Sequence, residues 1–185
     1  ARVERKIPAT RELTVDFDLQ AMQNHNGILQ IEFLDDKGNS ASRIELTNGG
    51  IMRAKSGARY GKLCDYVPNQ VYHIKVHLSV DHRMAEFFVD GKNAGKRIFY
   101  APVHEIERIM MRTGIQRTSP DVDSPADWNG ILDNAGGTDS LAEYRIANFK
   151  TESDDANAGA AVLKSSDYRH YVDYFNNMED ENIVQ

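Results

Sequence analysis

The chain has 185 residues, enough for one substantial core, and no long Gly/Ser-rich or Pro-rich linker divides it into equal parts. Its 22 Lys and Arg against 28 Asp and Glu leave a net charge of −6, and the pI near 5.5 argues against a surface built to neutralise nucleic-acid phosphates. No apolar run reaches bilayer length, so neither nucleic acid nor membrane is an expected partner, and Cys64, the single cysteine, rules out an intrachain disulfide scaffold.

In chain order, the first clear two-residue period is Leu13, Val15, Phe17 and Leu19, opposite Thr14, Asp16, Asp18 and Gln20, which is the pattern of a half-buried strand. The pattern returns in Leu29, Ile31 and Phe33, and again in Ile44 and Leu46. It is fullest in Tyr72, Ile74, Val76, Leu78 and Val80, opposite His73, Lys75, His77 and Ser79. Ala85, Phe87 and Val89 form the next inward set, followed by Ile109 with Met111 and by Tyr144 with Ile146. Between these runs, "DDKGN" (35–39), "NGG" (48–50), "DHR" (81–83) and "DGKN" (90–93) supply residues that tolerate positive φ or bond to their own backbone. About nine or ten short antiparallel strands, with almost no helical period before residue 160, predict two stacked sheets rather than a βαβ fold.

The segments "VYHIKVHLSVDHRMAEFFVDGKNAG" (71–95) and "AEYRIANFKTE" (142–152) resemble the long strand, hairpin and closing strand of the concanavalin A-like lectin/glucanase jelly roll, which includes laminin-G-like modules. The resemblance covers roughly residues 10 to 152 and implies an all-β sandwich. Proteins of this kind are sugar-binding modules, glycosidases and lyases, or accessory modules of large bacterial carbohydrate-active enzymes, and the fold does not choose among them. The expected location is periplasmic or extracellular.

Catalysis finds little support in the residues. A glucanase of this fold carries E-x-D-x-x-E on one strand, so that alternate carboxylates flank the scissile bond, and no such string occurs. Glu32 with Asp35 and Asp36 runs into a turn, while Glu105 and Glu107 read as a solvated strand face. There is no G-x-S-x-G elbow, and Cys64 in "YGKLCDY" reads as a small buried hydrophobe. His73 and His77 stand about 13 Å apart in an extended strand, at roughly 3.3 Å per residue, which is too far to share a zinc ion. His25, His82 and His104 fall in loops, where convergence on an ion or a uronic acid competes with scattered surface positions.

The long acidic insertion 117–140 carries Asp121, Asp123, Asp127, Asp133 and Asp139, oxygen donors of the hard type that calcium takes, although Ala126 and Leu132 break the EF-hand pattern. A solvated acidic loop is the alternative. Trp128 lies in the same insertion, either as a platform for a sugar ring or as an apolar pin. Trp128, His73 and His77 are the candidate carbohydrate-binding side chains, with the ligand expected on a concave sheet or at the Trp128 loop.

After "FKTESDDANAGAA" the composition turns small and polar, and then Tyr168, Tyr171, Val172, Phe175 and Met178 follow the i, i+3, i+4, i+7, i+10 spacing of an amphipathic helix. The expected organisation is a sandwich over 1–152, a spacer over 153–164 and a helix, or the lead-in to a further domain, over 165–185. The tail faintly resembles the lead-in to an all-helical toroidal glycosidase domain, which implies a larger parent enzyme. The leading expectation is a non-catalytic module that binds an oligo- or polysaccharide or supports an enzyme. Its rivals are a glycoside hydrolase or polysaccharide lyase and a protein-interaction domain, the last forming a homo-oligomer or joining a parent enzyme through the helix.

Overall fold

A computed structural model of the chain describes residues 2–113 and 142–153. The described residues form eleven strands: β1 (Arg2–Thr10), β2 (Glu12–Ala21), β3 (Leu29–Leu34), β4 (Ser40–Leu46), β5 (Ile51–Ser56), β6 (Arg59–Asp65), β7 (Val71–Ser79), β8 (Met84–Val89), β9 (Lys92–Ile98), β10 (Ile106–Thr113) and β11 (Tyr144–Ser153). One sheet has six strands in the order β1-β10-β3-β4-β5-β6, the other five in the order β11-β2-β7-β8-β9. Every pair is antiparallel. Two meanders, β3 to β6 and β7 to β9, thus lie in opposite sheets, and the remaining strands cross between them. The concanavalin A-like sandwich is the observed architecture. The expected helix over 165–185 and spacer from residue 154 on lie outside the described residues.

The alternation read from the sequence is the alternation of the core. Leu13, Val15, Phe17 and Leu19 of β2 and Ile74, Val76 and Leu78 of β7 face Ile31, Phe33, Ile44, Leu46 and Met52 of the other sheet, all buried. Side chains of opposed residues point to the same face of an antiparallel pair, so the register Phe33↔Ile109 and Ile31↔Met111 places β10 in the same core. The turns behave as their residues require: Gly38, Gly50, Arg83, Asp90 and Gly91 all have positive φ. In the turn after β3, the Asp35 carboxylate accepts from the backbone N–H groups of Lys37 and Asn39 at 3.0 and 2.7 Å. Buried Arg108 fixes that turn from β10 by donating to the carbonyls of Asp35 and Asp36, both at 2.8 Å.

Eleven strands are present where about nine or ten were expected. The strands without a sequence signature are β1, β5, β6 and β9; β1, β6 and β9 are edge strands, polar along much of their length, and β5 lies beside edge strand β6. The sandwich is closed along the β6/β9 side, where Gly57 N–H donates to the Ile98 carbonyl at 3.3 Å and Arg97 Nη2 to the Lys62 carbonyl at 3.1 Å. Gly61 lets that guanidinium lie against the chain, since a Cβ there would come within 3.0 Å of Arg97 Cζ. Along the opposite side Thr10 Oγ1 of β1 meets Ser153 Oγ of β11 at 2.5 Å, and beyond that contact β1, β10 and β11 line an apolar cleft of about 600 Å³.

Candidate functional site

The outer face of the six-stranded sheet carries a block of charge built by register alone. Gln30 and Glu32 alternate with the inward residues of β3, Arg43 and Glu45 with those of β4, and Arg53 and Lys55 with those of β5. Pairing sets Glu32 against Arg43, Gln30 against Glu45, Glu45 against Arg53, and Lys55 against Tyr60 of β6. Opposite charges therefore meet across the β3/β4 and β4/β5 boundaries. Arg43 and Glu32 are both 0% exposed, and the guanidinium donates to Glu32 Oε1 through Nε at 2.8 Å, with Nη2 at ion-pair distance from the same oxygen, also 2.8 Å. Burial works against the charge of Arg43, but Glu32 and Tyr60 outweigh it and raise its pKa above the usual arginine value. Glu45 is equally buried and accepts from Arg53, from Tyr60 Oη at 3.1 Å and from Gln30 Nε2 at 3.2 Å.

Lys55 stands apart within this block. Only 8% of it is exposed, yet among the described residues its ammonium has no carboxylate at ion-pair distance. It donates to the Ala58 carbonyl at 3.3 Å and lies between two aromatic rings, 4.7 Å from the Tyr60 centroid and 4.3 Å from that of Tyr100. Burial, and next the Arg43 guanidinium, push its pKa down. Among the described residues, three cations, Arg43, Arg53 and Lys55, thus face two carboxylates, Glu32 and Glu45, one positive charge more than negative. Arg53, whose side chain is 33% exposed and lies 4.1 Å from the Tyr60 centroid, forms the solvent rim.

His73 and His77 occupy the other outer face, that of the five-stranded sheet, in register with Asp18 and Thr14 of β2. His73 reaches Asp18 at 2.9 Å and Asp16 at 3.2 Å, and the Asp18 bond, with help from Asp16, raises its pKa. His77 contacts Thr14 Oγ1 at 3.2 Å and Glu12 at 3.4 Å. Both are bound to their own sheet by cross-strand partners. The three loop histidines do not converge: His82 follows β7 beside Ser79, at the Glu12 end of β2, where Arg11 bonds both Asp81 and the His104 carbonyl, whereas His25 follows the Ala21 end of the same strand. Among the described residues no group of three or more His, Cys, Asp or Glu is arranged to hold a metal. Trp128 and the aspartates Asp121, Asp123, Asp127, Asp133 and Asp139 lie outside the described residues.

The expected pairing of Glu105 with Glu107 on a strand face is altered, because β10 begins at Ile106 and Glu105 precedes it. Glu107 is part-buried, and burial together with the nearby Asp36 raises its pKa. Cys64 is half-buried rather than buried, and burial pushes its thiol up.

A family model described as "Sialidase-like, CBM domain", a carbohydrate-binding module, matches residues 1–128. Among solved structures, a protein named sialidase is 54% identical, with a TM-score of 0.74, and the match covers 100% of this chain and 17% of that one. The chain therefore corresponds to a minor part of that protein's length. A tetrameric galectin from the ball sponge Cinachyrella sp. is 6% identical with a TM-score of 0.51, covering 82% of this chain and 99% of its own, a likeness of fold alone. A PL7 alginate lyase from Zobellia galactanivorans is 13% identical with a TM-score of 0.49 over 81% of this chain and 64% of its own. No curated protein sequence matches the chain. The family match spans well over half of the residues and ends beyond β10, so that it takes in both meanders and the whole charged face: the chain belongs to the sialidase-like family of carbohydrate-binding modules.

Proposed function

We propose that this chain is the glycan-binding module of a larger sialidase-type enzyme acting in the periplasm or outside the cell, and that it holds an acidic sugar at the outer face of the six-stranded sheet. The observation that carries the reading is the surplus cation: Lys55, buried between the rings of Tyr60 and Tyr100, has no carboxylate partner among the described residues. A sugar carboxylate entering at the Arg53 rim would supply the missing negative charge, and hydrogen bonds between charged groups are about twice as strong as neutral ones. Tyr60 and Tyr100 offer the apolar body with a polar edge on which sugar rings pack. The similar solved protein is named a sialidase, and sialic acid is a sugar bearing a carboxylate.

The test is calorimetric titration with a sialylated oligosaccharide and with its asialo counterpart. The sialylated sugar binds and the neutral one binds at least tenfold more weakly. Arg53→Ala and Lys55→Met each lower affinity about tenfold or more, as the loss of a charged hydrogen bond of about 1.5–3 kcal/mol implies. His73→Ala, on the opposite sheet, leaves affinity unchanged. Equal affinity for the two sugars, or binding that survives both changes at the six-stranded sheet and is lost on His73→Ala, would overturn the reading.

A further inference from the structure

The outer face of the five-stranded sheet carries an arrangement in which the proposed sugar site has no part. β11 is an edge strand of that sheet, and its register with β2 breaks at a bulge between Ala147 and Lys150. Within the bulge Phe149 packs beside Phe17 of the core, with ring centroids 5.7 Å apart, while Asn148 takes φ 53, a left-handed conformation that costs a non-glycine residue free energy. Asn148 is held there from across the strand boundary, where its Nδ2 donates to Asp18 Oδ2 at 2.6 Å.

The two residues of β2 that bracket the bulge are Asp18, opposite Ala147, and Asp16, opposite Lys150. Being two apart on one strand, they present their carboxylates on the same face. His73 of β7 reaches both: its Nδ1 lies 2.9 Å from Asp18 Oδ1 and its Nε2 3.2 Å from Asp16 Oδ1. A neutral imidazole has one N–H and donates to one carboxylate, leaving a lone pair turned toward the other, whereas the imidazolium donates to both. His77, four residues on, has no such requirement, because the Thr14 hydroxyl that it meets at 3.2 Å donates or accepts as the ring demands.

We propose that His73 is a proton-operated fastener of β11: doubly protonated, it ties Asp16 and Asp18 together behind the bulge so that Asp18 is fixed to receive Asn148, and on losing a proton it lets the bulge open. The surrounding charges leave this task to the ring. Lys75 of β7 and Lys150 of β11 stand opposite Asp16 from its two sides, Arg145 of β11 is engaged with Glu143 at 2.7 Å, and Asp90, in the turn after β8, accepts from the His73 backbone N–H at 2.8 Å. Among the described residues His73 is nonetheless the one group able to carry positive charge that lies at ion-pair distance from Asp16 or Asp18. The bond to Asp18, aided by the charge of Asp16, keeps the ring protonated to higher pH than a free imidazole, so the fastener is closed in mildly acidic medium and opens as pH rises through the ring's own value above 6.5.

The experiment is NMR-detected amide exchange on the full chain from about pH 5.5 to about pH 8.5, each rate divided by the intrinsic rate at that pH, with the His73 ring resonances followed in the same samples. The opening constant of the amides from Ile146 to Thr151 rises about twofold to fivefold across the range, as the loss of an exposed ion pair implies, with its midpoint at the pKa of the His73 ring. The side-chain amide protons of Asn148 shift with the same midpoint. His73→Gln, which keeps one neutral hydrogen bond, abolishes the pH dependence, and His77→Gln preserves it. An opening constant that is flat with pH in the wild type, a midpoint away from that of the ring, or a dependence that survives His73→Gln would each overturn the proposal.

Discussion

Replacing Arg43 by Met separates the scaffold of the charged face from its ligand chemistry. The guanidinium is 0% exposed, donates through Nε to the equally buried Glu32 and ion-pairs with it through Nη2, reaches Tyr60 Oη at 3.3 Å and lies 5.3 Å from the Tyr100 centroid. Methionine restores much of the apolar volume but none of the charge, so the Glu32 carboxylate loses its counterion in a site that water does not reach. Breaking a buried ion pair in this way costs about 3–5 kcal/mol. At about 2–4 °C per kcal/mol for a domain of this size, the Tm falls by roughly 6–20 °C. Removing the other charge as well, by Glu32→Leu, recovers most of the loss, because two apolar residues avoid the desolvation that each ion suffers alone. The assay is reversible urea denaturation of the wild type, both single variants and the double variant, read as a double-mutant cycle. A loss below about 1 kcal/mol for Arg43→Met, or a double variant as unstable as the sum of the singles, would show that the pair does not hold the sheet as described.

Gly27 has φ +75, and a Cβ there would overlap that of Ala142 and approach Tyr144 Oη to 3.0 Å, so Gly27→Ala costs at least about 1–3 kcal/mol, read as a lower urea midpoint. His73 titrates above its ordinary 6.5 because of its bond to Asp18, and Asp18 titrates below 3.8 chiefly because of His73. The stabilisation linked to His73 is therefore complete below pH 6.5 and is lost as pH rises through its folded value, while that linked to Asp18 is present above pH 3.8 and is lost as pH falls through its folded value. An NMR titration in which Asp18→Asn fails to bring the His73 pKa down would contradict this pairing. The Cys64 thiol, pushed up by burial and by Asp90 and Asp65, is alkylated at pH 8 more slowly than a free thiol and gains reactivity in urea; labelling as fast as that of glutathione would refute the assignment.

The half-buried strands were legible because one face of each is apolar and the other is not: β2 and β8 alternate in burial residue by residue, and β7 does so as far as Leu78, as their sequences do. The turns were legible from Asp90-Gly91 and Asn48-Gly49-Gly50, whose chemistry fits the positive φ found at Asp90, Gly91 and Gly50. Edge strands β1 and β9 were not, since a strand paired along one side and polar along much of its length leaves no period to find. The charged face escaped notice for a different reason. In the sequence Glu32 groups with Asp35 and Asp36 near a turn, and Arg43, Glu45 and Arg53 belong to no motif. They become a cluster only through the registers Glu32↔Arg43 and Glu45↔Arg53, which join positions 11 and 8 residues apart in the chain. A signal was available: β3 to β6 follow one another through short turns, so the register can be counted outward from each turn, and the signs along it alternate.

The two outer faces of the sandwich show why this cluster, rather than His73 and His77, holds the candidate site. Both faces carry acids opposite bases across strand boundaries, which is ordinary for antiparallel sheets. On the five-stranded sheet the pairs are exposed: the His73 side chain is 47% accessible, and such pairs contribute little and cost little. On the six-stranded sheet Glu32, Arg43 and Glu45 are removed from water, where apolar residues of similar size would be as stable or more so. Stability alone therefore does not account for charge at these positions, and it accounts still less for Lys55, which adds a third cation to two carboxylates already in use. A preorganised surplus of positive charge beside two tyrosine rings is costly in the empty module and favourable only when an anion arrives. Ligand should accordingly stabilise the sandwich by RT ln(1 + [L]/Kd), and Lys55→Met should raise the stability of the unliganded chain while reducing that gain, by about 1.4 kcal/mol at saturating ligand for each tenfold loss of affinity. A Lys55→Met variant that is less stable than the wild type without ligand would mean that the ammonium is held for packing against Tyr60 and Tyr100, and the argument from surplus charge would fail.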